Sequence, residues 1–157
     1  MLMLQMAKYK IKTNNKNSDA VVNPTVTWDD YIYDVLISSG NGGYVSKAGI
    51  YNTDGQKWAA SEDLDIHSSE IRDIVAAFDD CSKIRKTGIR LGCRVFTLTR
   101  ITDRRVLVGR ESKSGAGVVA FRCESCVVLG VCEEGASQAG CYTMVMKLGD
   151  YLTDMGY

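Results

Sequence analysis

The sequence is short of histidine, of proline and of long apolar runs. His67 and Pro24 are the single examples of their types in 157 residues. No apolar run approaches the roughly 20 residues that span a bilayer. With one histidine, no Ser/His/Asp or Cys/His catalytic set can be assembled, and a zinc site at Cys123 and Cys126 would lack a second pair of ligands. We therefore expect no enzymatic activity, no bound metal and no cofactor.

The sequence pattern also predicts no secretory signal. Residues 1–6 (MLMLQM) are apolar, but they are few, and neither a basic region nor a clear cleavage site accompanies them. Six cysteines are present, several of them inside apolar runs, where a free thiol behaves as a small hydrophobic side chain. The expectation is a reduced, cytoplasmic protein, and whether any cysteines pair is left open.

Net charge is zero, but the charge is unevenly distributed. Residues 83–113 contain ten basic and two acidic side chains, a segment charge of +8, so the remainder carries −8. Such a segment can attract an acidic protein face, a phosphoinositide head group or nucleic acid. The alternative is that strands simply place basic residues on their solvent face.

The chain divides near its proline. Residues 1–26 include a polar stretch with little apolar periodicity, which predicts a flexible N-terminal extension. Residues 27–157 carry the periodic patterns of a folded domain. We expect removal of residues 1–25 to leave that domain intact.

The domain pattern alternates helices and short strands. Helical spacing predicts a helix after Thr27, a second one after His67 or Ser68, and a last one over residues 139–155. Strand patterns predict a hairpin over residues 44–60, with its turn at Gly55, and a run of strands over residues 89–132. An α+β fold with a central antiparallel sheet accommodates this order.

Five sequence blocks, in this order, resemble the profilin family. They are WDDYI at 28–32, AGIYNTDGQKWA at 48–59, IRLG at 89–92, LGV at 129–131, and KLGDYL at 147–152 followed by GY at 156–157. The resemblance covers residues 28–157. It implies a sheet with the N- and C-terminal helices packed together on one face and a further helix on the other.

The resemblance also implies a groove for proline-rich ligands. Its aromatic positions match Trp28, Tyr31, Trp58, Tyr151 and Tyr157. Aromatic faces suit a polyproline II helix, whose free carbonyls accept hydrogen bonds from indole N–H and tyrosine O–H groups. Proline-rich proteins such as formins are the implied partners. The alternative for the tryptophans is a purely structural role in the core.

A second implied site binds monomeric actin, on the later strands, the end of the second helix and the start of the last one. The matching positions are Lys86, Leu98, Arg100, Arg110, Lys113 and Lys147. A protein of this family regulates actin polymerisation and nucleotide exchange, is associated with the cytoskeleton, and binds phosphoinositides through overlapping basic residues. Nucleic acid is not among the implied partners.

Two alternatives stay open at this point. One is a domain of similar fold that binds phosphoinositide head groups and not actin. The other is a thiol enzyme using Cys123 and Cys126, although these lie between two strand patterns, whereas a redox CxxC motif opens a helix. A plain hairpin turn is the expectation for this pair.

Overall fold

The structure is a computed structural model that describes residues 27–37 and 43–157. The predicted extension, residues 1–26, lies outside the described residues, as does most of the turn after the first helix. Among the described helices, none is both long and apolar enough to cross a bilayer.

Four helices and seven strands make up the described chain. In chain order they are α1 (Trp28–Asp30), which runs on as a π-helical segment (Tyr31–Leu36), β1 (Lys47–Asn52), β2 (Lys57–Ala60), α2 (Ser68–Ala77), α3 (Ser82–Thr87), β3 (Ile89–Leu91), β4 (Arg94–Thr102), β5 (Val106–Arg110), β6 (Gly117–Arg122), β7 (Cys126–Cys132) and α4 (Gln138–Asp154). We call α1 and its π-helical continuation the first helix.

All seven strands join one antiparallel sheet in the order β2-β1-β7-β6-β5-β4-β3. The run β3 to β7 is a meander, because each strand pairs with its neighbour in sequence. The hairpin β1–β2 adds at the β7 side, with Gly49 opposite Leu129. Brief connections between successive strands dictate this arrangement.

Each face of the sheet carries its own hydrophobic core. The first helix and α4 pack together on one face, where Ile32 and Leu148 are fully buried. Helices α2 and α3 cover the other face, where Ile74 and Phe96 are buried. The predicted fold, with the terminal helices on one face and a further helix on the other, is confirmed.

Helix beginnings follow the capping residues. Thr27 and Asp30 form a reciprocal capping box at α1, and Glu70 accepts a hydrogen bond from the His67 backbone N–H at the start of α2. The Ser137 hydroxyl accepts from the Gly140 N–H, so α4 begins one residue before the predicted start.

Three features differ from the predicted pattern. The first helix widens into a π-helical turn after Asp30. The short helix α3 was not predicted, because six residues carry too little periodicity to stand out; Gly88, at a φ of 78°, ends it. Strand β1 begins at Lys47 and not at Tyr44.

One ion-pair network links the start of β4 to the ends of β5 and β7. The Arg94 guanidinium donates four hydrogen bonds of 2.7–3.3 Å, two to Glu111 and two to Glu133. Glu111 follows β5 and Glu133 follows β7, so the network reaches from the start of β4 over two strands. Arginine pairs carboxylates well in this bidentate geometry.

We expect Arg94→Met to lower the free energy of unfolding by about 1–2 kcal/mol, measured by urea denaturation near neutral pH. The hydrogen bond from Arg94 lowers the pKa of Glu111. That stabilisation is complete above the ordinary carboxyl pKa of about 4.3 and is lost as the pH falls through the lowered value. The difference between wild type and variant should therefore shrink in acid.

Arg90→Met on β3 is the control, since Arg90 is exposed and forms no ion pair with a described residue. An equal loss in this control, or a difference that persists undiminished in acid, would contradict the role of the network.

Candidate ligand-binding sites

Five aromatic side chains converge where the first helix, β2 and the end of α4 meet. The ring centroid of Trp28 lies 4.6 Å from that of Trp58 and 5.1 Å from that of Tyr157. Tyr31 lies 6.0 Å from Trp28 and 6.3 Å from Tyr151. The structure thus brings together all five aromatic residues that the sequence singled out, and we call them the aromatic cluster.

Local folding explains why these rings meet. Trp28 and Tyr31 lie three residues apart and so occupy neighbouring positions of one helical face. Trp58 is on β2, an edge strand, and packs against the core on the terminal-helix face. Tyr157 is held after α4 by its backbone N–H, which donates to the Leu152 carbonyl at 3.0 Å.

The cluster has an exposed layer and a buried base. Trp28, Trp58, Tyr151 and Tyr157 are half-buried, whereas the Tyr31 side chain is fully buried. The Tyr31 hydroxyl is hydrogen-bonded to Tyr151, and burial together with Tyr151 raises its pKa. Tyr31 therefore stays neutral and positions Tyr151 from below, while the other four rings can face a ligand.

Hydrogen-bond donors remain available beside the exposed rings. Within the part of the chain that the structure describes, the indole N–H groups of Trp28 and Trp58 donate to no acceptor. The Tyr157 hydroxyl is protonated at neutral pH, as in any tyrosine, and burial raises its pKa further, so it can also donate. Apolar rings with unused donors form a surface suited to an apolar peptide with free carbonyls.

A contribution to this cluster that the sequence did not reveal comes from the β6–β7 turn. The Glu124 backbone N–H donates to the Tyr157 carbonyl at 3.1 Å. This bond fixes Tyr157 against the turn and hence against the two tryptophans. A backbone donor carries no residue signature, so no sequence pattern could have indicated it.

Three of the six basic and apolar positions predicted for actin binding lie at one corner of the molecule. Arg100 lies on β4, Arg110 ends β5, and Lys113 lies in the loop that follows. All three are exposed. The loop contacts the start of α4, because the Gln138 side-chain amide donates to the Gly115 carbonyl at 3.0 Å.

Arg100 is held to α4 by an aromatic ring. Its guanidinium carbon lies 4.9 Å above the centroid of Tyr142, a cation–π contact. Tyr142 was missed by the sequence argument, although an aromatic residue beside the predicted inner face of the last helix was a usable signal. We call Arg100, Arg110, Lys113 and Tyr142 the basic corner.

The other three residues predicted for actin binding lie outside the basic corner. The β4–β5 register shifts between Leu98 and Arg100, and Leu98 packs with the core on the α2–α3 face, away from Tyr142. Lys86 is exposed on α3, and Lys147 is exposed on α4. A partner that contacts all six predicted actin-binding residues would have to cover the surface beside β4, from α3 to α4.

Cys123 and Cys126 lie at the predicted hairpin turn. Cys123 directly follows β6 and Cys126 begins β7, and the Cys123 N–H donates to the Cys126 carbonyl at 2.8 Å. No group of three or more His, Cys, Asp or Glu residues in the described ranges could hold a metal ion.

The comparisons with known proteins agree with the fold. The profilin family model matches residues 26–157. The chain belongs to the profilin family. Profilin of Bombyx mori is 30% identical over 132 residues, covering 84% of this chain and all of that protein.

Solved profilin structures share the architecture. Acanthamoeba castellanii profilin II superposes with a TM-score of 0.75 at 27% identity, covering 83% of this chain and all of that one. Mouse profilin IIa, solved in complex with a double repeat from the FH1 domain of mDia1, superposes with a TM-score of 0.71 at 20% identity, covering 84% and 100%. Profilins are non-enzymatic, actin-binding regulators, typical of the cytoplasm and cytoskeleton.

Proposed function

We propose that this profilin binds monomeric actin and proline-rich ligands at separate sites, and so regulates actin polymerisation and nucleotide exchange. The observation that carries the proposal is the aromatic cluster, in which four half-exposed rings and two unused indole donors share one surface. Mouse profilin IIa, with the same fold, is solved with an FH1 repeat, which supports proline-rich proteins such as formins as partners here.

The basic corner supports the actin half of the proposal. Arg100, Arg110 and Lys113 are exposed beside Tyr142, so positive charge surrounds an aromatic contact. Rim charges of this kind steer an acidic partner and fix its orientation, whereas central apolar contacts supply most affinity. The proposed mechanism is allosteric: the protein holds the actin monomer and loosens the nucleotide cleft of actin, so that nucleotide exchange speeds up without covalent chemistry.

Phosphoinositide head groups are proposed to compete for the same basic residues. A domain that binds these lipids without actin is the second candidate, because the basic corner alone would suit a phosphate-rich surface. Pelleting with acidic vesicles, run beside an actin-monomer assay, separates the two. Lipid binding without any actin binding would favour the second candidate. We further propose a cytoplasmic, cytoskeleton-associated location.

Chromatography on immobilised poly-L-proline is the direct test of the aromatic site. We expect retention of the full chain, and of residues 27–157 alone, since the aromatic cluster and both cores lie within that range. Retention should resist added salt, because stacking and neutral hydrogen bonds carry no net charge. Passage of the folded protein without delay would remove the proline-rich half of the proposal.

A further inference from the structure

The β6–β7 turn places two cysteines opposite each other beneath the aromatic cluster. The register of the hairpin pairs Arg122 with Val127, so Cys123 and Cys126 are the next facing pair. Their backbones are joined by the hydrogen bond from Cys123 to Cys126. Both side chains are buried in the core on the terminal-helix face. The two thiols therefore point to the same side of the sheet.

Cys123 also differs chemically from the other buried cysteines. The Cys123 thiol contacts the Gly149 carbonyl of α4, with sulfur and oxygen 3.5 Å apart. A hydrogen bond from the Cys126 thiol lowers the pKa of Cys123, while the same bond raises the pKa of Cys126. By contrast, burial raises the pKa of Cys132 and of Cys141.

Cys123 lines a surface cleft beside the β6–β7 turn. The cleft has a volume of about 410 Å³, and its wall combines Cys123 and the arginines 104, 105 and 122 with the acidic residues Asp79, Asp103 and Glu124. Arg105 contributes to the lowered pKa of Cys123. A thiol with a lowered pKa that lines a cleft and lies next to a second thiol is suited to selective oxidation.

We propose that Cys123 and Cys126 are a redox modification site, where hydrogen peroxide forms an intramolecular disulfide that weakens binding at the aromatic cluster. The second half rests on the proposed binding of proline-rich ligands. The Cys123 thiolate attacks one peroxide oxygen, giving a sulfenic acid and hydroxide, which takes up the thiol proton as water. The Cys126 sulfur then attacks the sulfenic sulfur and releases a second water. Two thiols and one peroxide thus give one disulfide and two waters.

Forming this bond changes the geometry at the end of the hairpin. Facing strand residues typically have Cβ atoms about 5 Å apart, and those of a disulfide are typically about 3.8 Å apart. The bond therefore draws the ends of β6 and β7 towards each other at the turn between them. A reducing agent opens the bond again by thiol–disulfide exchange, as a reversible modification requires.

Distortion of the turn is transmitted to a ligand-facing ring. The residue after Cys123 is Glu124, whose N–H holds the Tyr157 carbonyl. Tyr157 packs edge-on against Trp28 and Trp58. Moving the Glu124 N–H therefore displaces Tyr157 from the tryptophans. The expected effect on a proline-rich ligand is about two- to tenfold weaker binding, the range for loss of an edge-to-face aromatic pair.

The experiment compares reduced, peroxide-treated and re-reduced full-length protein. Peptide mapping identifies the disulfide, tryptophan fluorescence reports on the cluster without any ligand, and titration with a proline-rich peptide gives the affinity. Cys123→Ala/Cys126→Ala removes the pair, and Cys132→Ala/Cys141→Ala is the matched control with two other buried thiols removed. Cys93→Ser, run in parallel, removes the one exposed cysteine of the described chain and with it intermolecular pairing.

We expect a Cys123–Cys126 disulfide, a changed tryptophan emission and weaker peptide binding. Reduction should reverse all three changes, and the matched control variant should show the same three changes on oxidation. Absence of the disulfide, or a disulfide that leaves emission and affinity unchanged, overturns the inference. If the reduced protein binds no peptide, the proposed function fails, while mapping and fluorescence still decide whether the dithiol is oxidised and moves the cluster. Should the double-alanine variant not fold, the wild-type comparison alone gives these outcomes.

Discussion

Trp58→Ala and Trp28→Ala should each abolish retention on poly-L-proline. Each change removes a ring from the centre of the aromatic cluster, where the centroids lie 4.6 Å apart, and also an indole N–H donor. Truncation of an aromatic side chain at the centre of an interface costs at least ~2 kcal/mol, which is about a thirtyfold loss of affinity. Fluorescence titration with a proline-rich peptide would measure it.

Replacement by phenylalanine separates the two contributions of each tryptophan. Trp58→Phe keeps an aromatic face but loses the N–H donor, so its affinity should lie between those of wild type and Trp58→Ala. Tyr33→Ala is the matched control, because Tyr33 is an exposed aromatic residue of the same first helix, outside the cluster. Unchanged retention of a folded Trp28→Ala or Trp58→Ala protein would rule out the aromatic cluster as the proline-rich site.

Reversal of charge at the basic corner should weaken actin binding and leave binding of proline-rich peptide unchanged. Arg100→Glu also loses the cation–π contact with Tyr142, so its effect should exceed that of Lys113→Glu. We expect about three- to tenfold weaker binding of actin monomers, mainly through slower association. Stopped-flow association at several salt concentrations measures this directly.

Salt dependence distinguishes steering from a structural effect. Wild-type association should slow as salt rises, because the Debye length is only about 8 Å at physiological ionic strength, and the reversed variants should show a shallower dependence. Lys57→Glu on β2, at the opposite edge of the sheet order, is the control with the same change in net charge. Equal loss of both activities would indicate misfolding, and full actin binding by both reversals would place the actin face elsewhere.

The aromatic cluster was predictable because the family resemblance places the terminal helices side by side and the remaining determinants are short-range. Trp28 and Tyr31 are three residues apart on a helix, and Trp58 follows a turn that Gly55 allows at a φ of 94°. Once the terminal helices are placed side by side, the rings have to meet. The burial of Tyr31 beneath the others was not predictable, since periodicity assigns a face and not a depth.

The distribution of the basic residues was less predictable. The shift of register between Leu98 and Arg100 depends on pairing with β5, a long-range property that neither side chain reveals. It sends Leu98 to one face and Arg100 to the other, although alternation places residues two apart on the same face. The hydrogen bond from the Glu124 N–H to the Tyr157 carbonyl is likewise a backbone contact, which no residue pattern predicts.

The sheet order has a consequence for how amide protons exchange with solvent. Strand β6 is fourth of seven, is paired on both sides and is buried up to Arg122, so its amides exchange only when the whole domain unfolds. Strand β2, which carries Trp58, is an edge and can open by itself. A ligand on the aromatic cluster therefore protects the amides of the β1–β2 hairpin first, and it slows exchange in β6 only by its contribution to global stability.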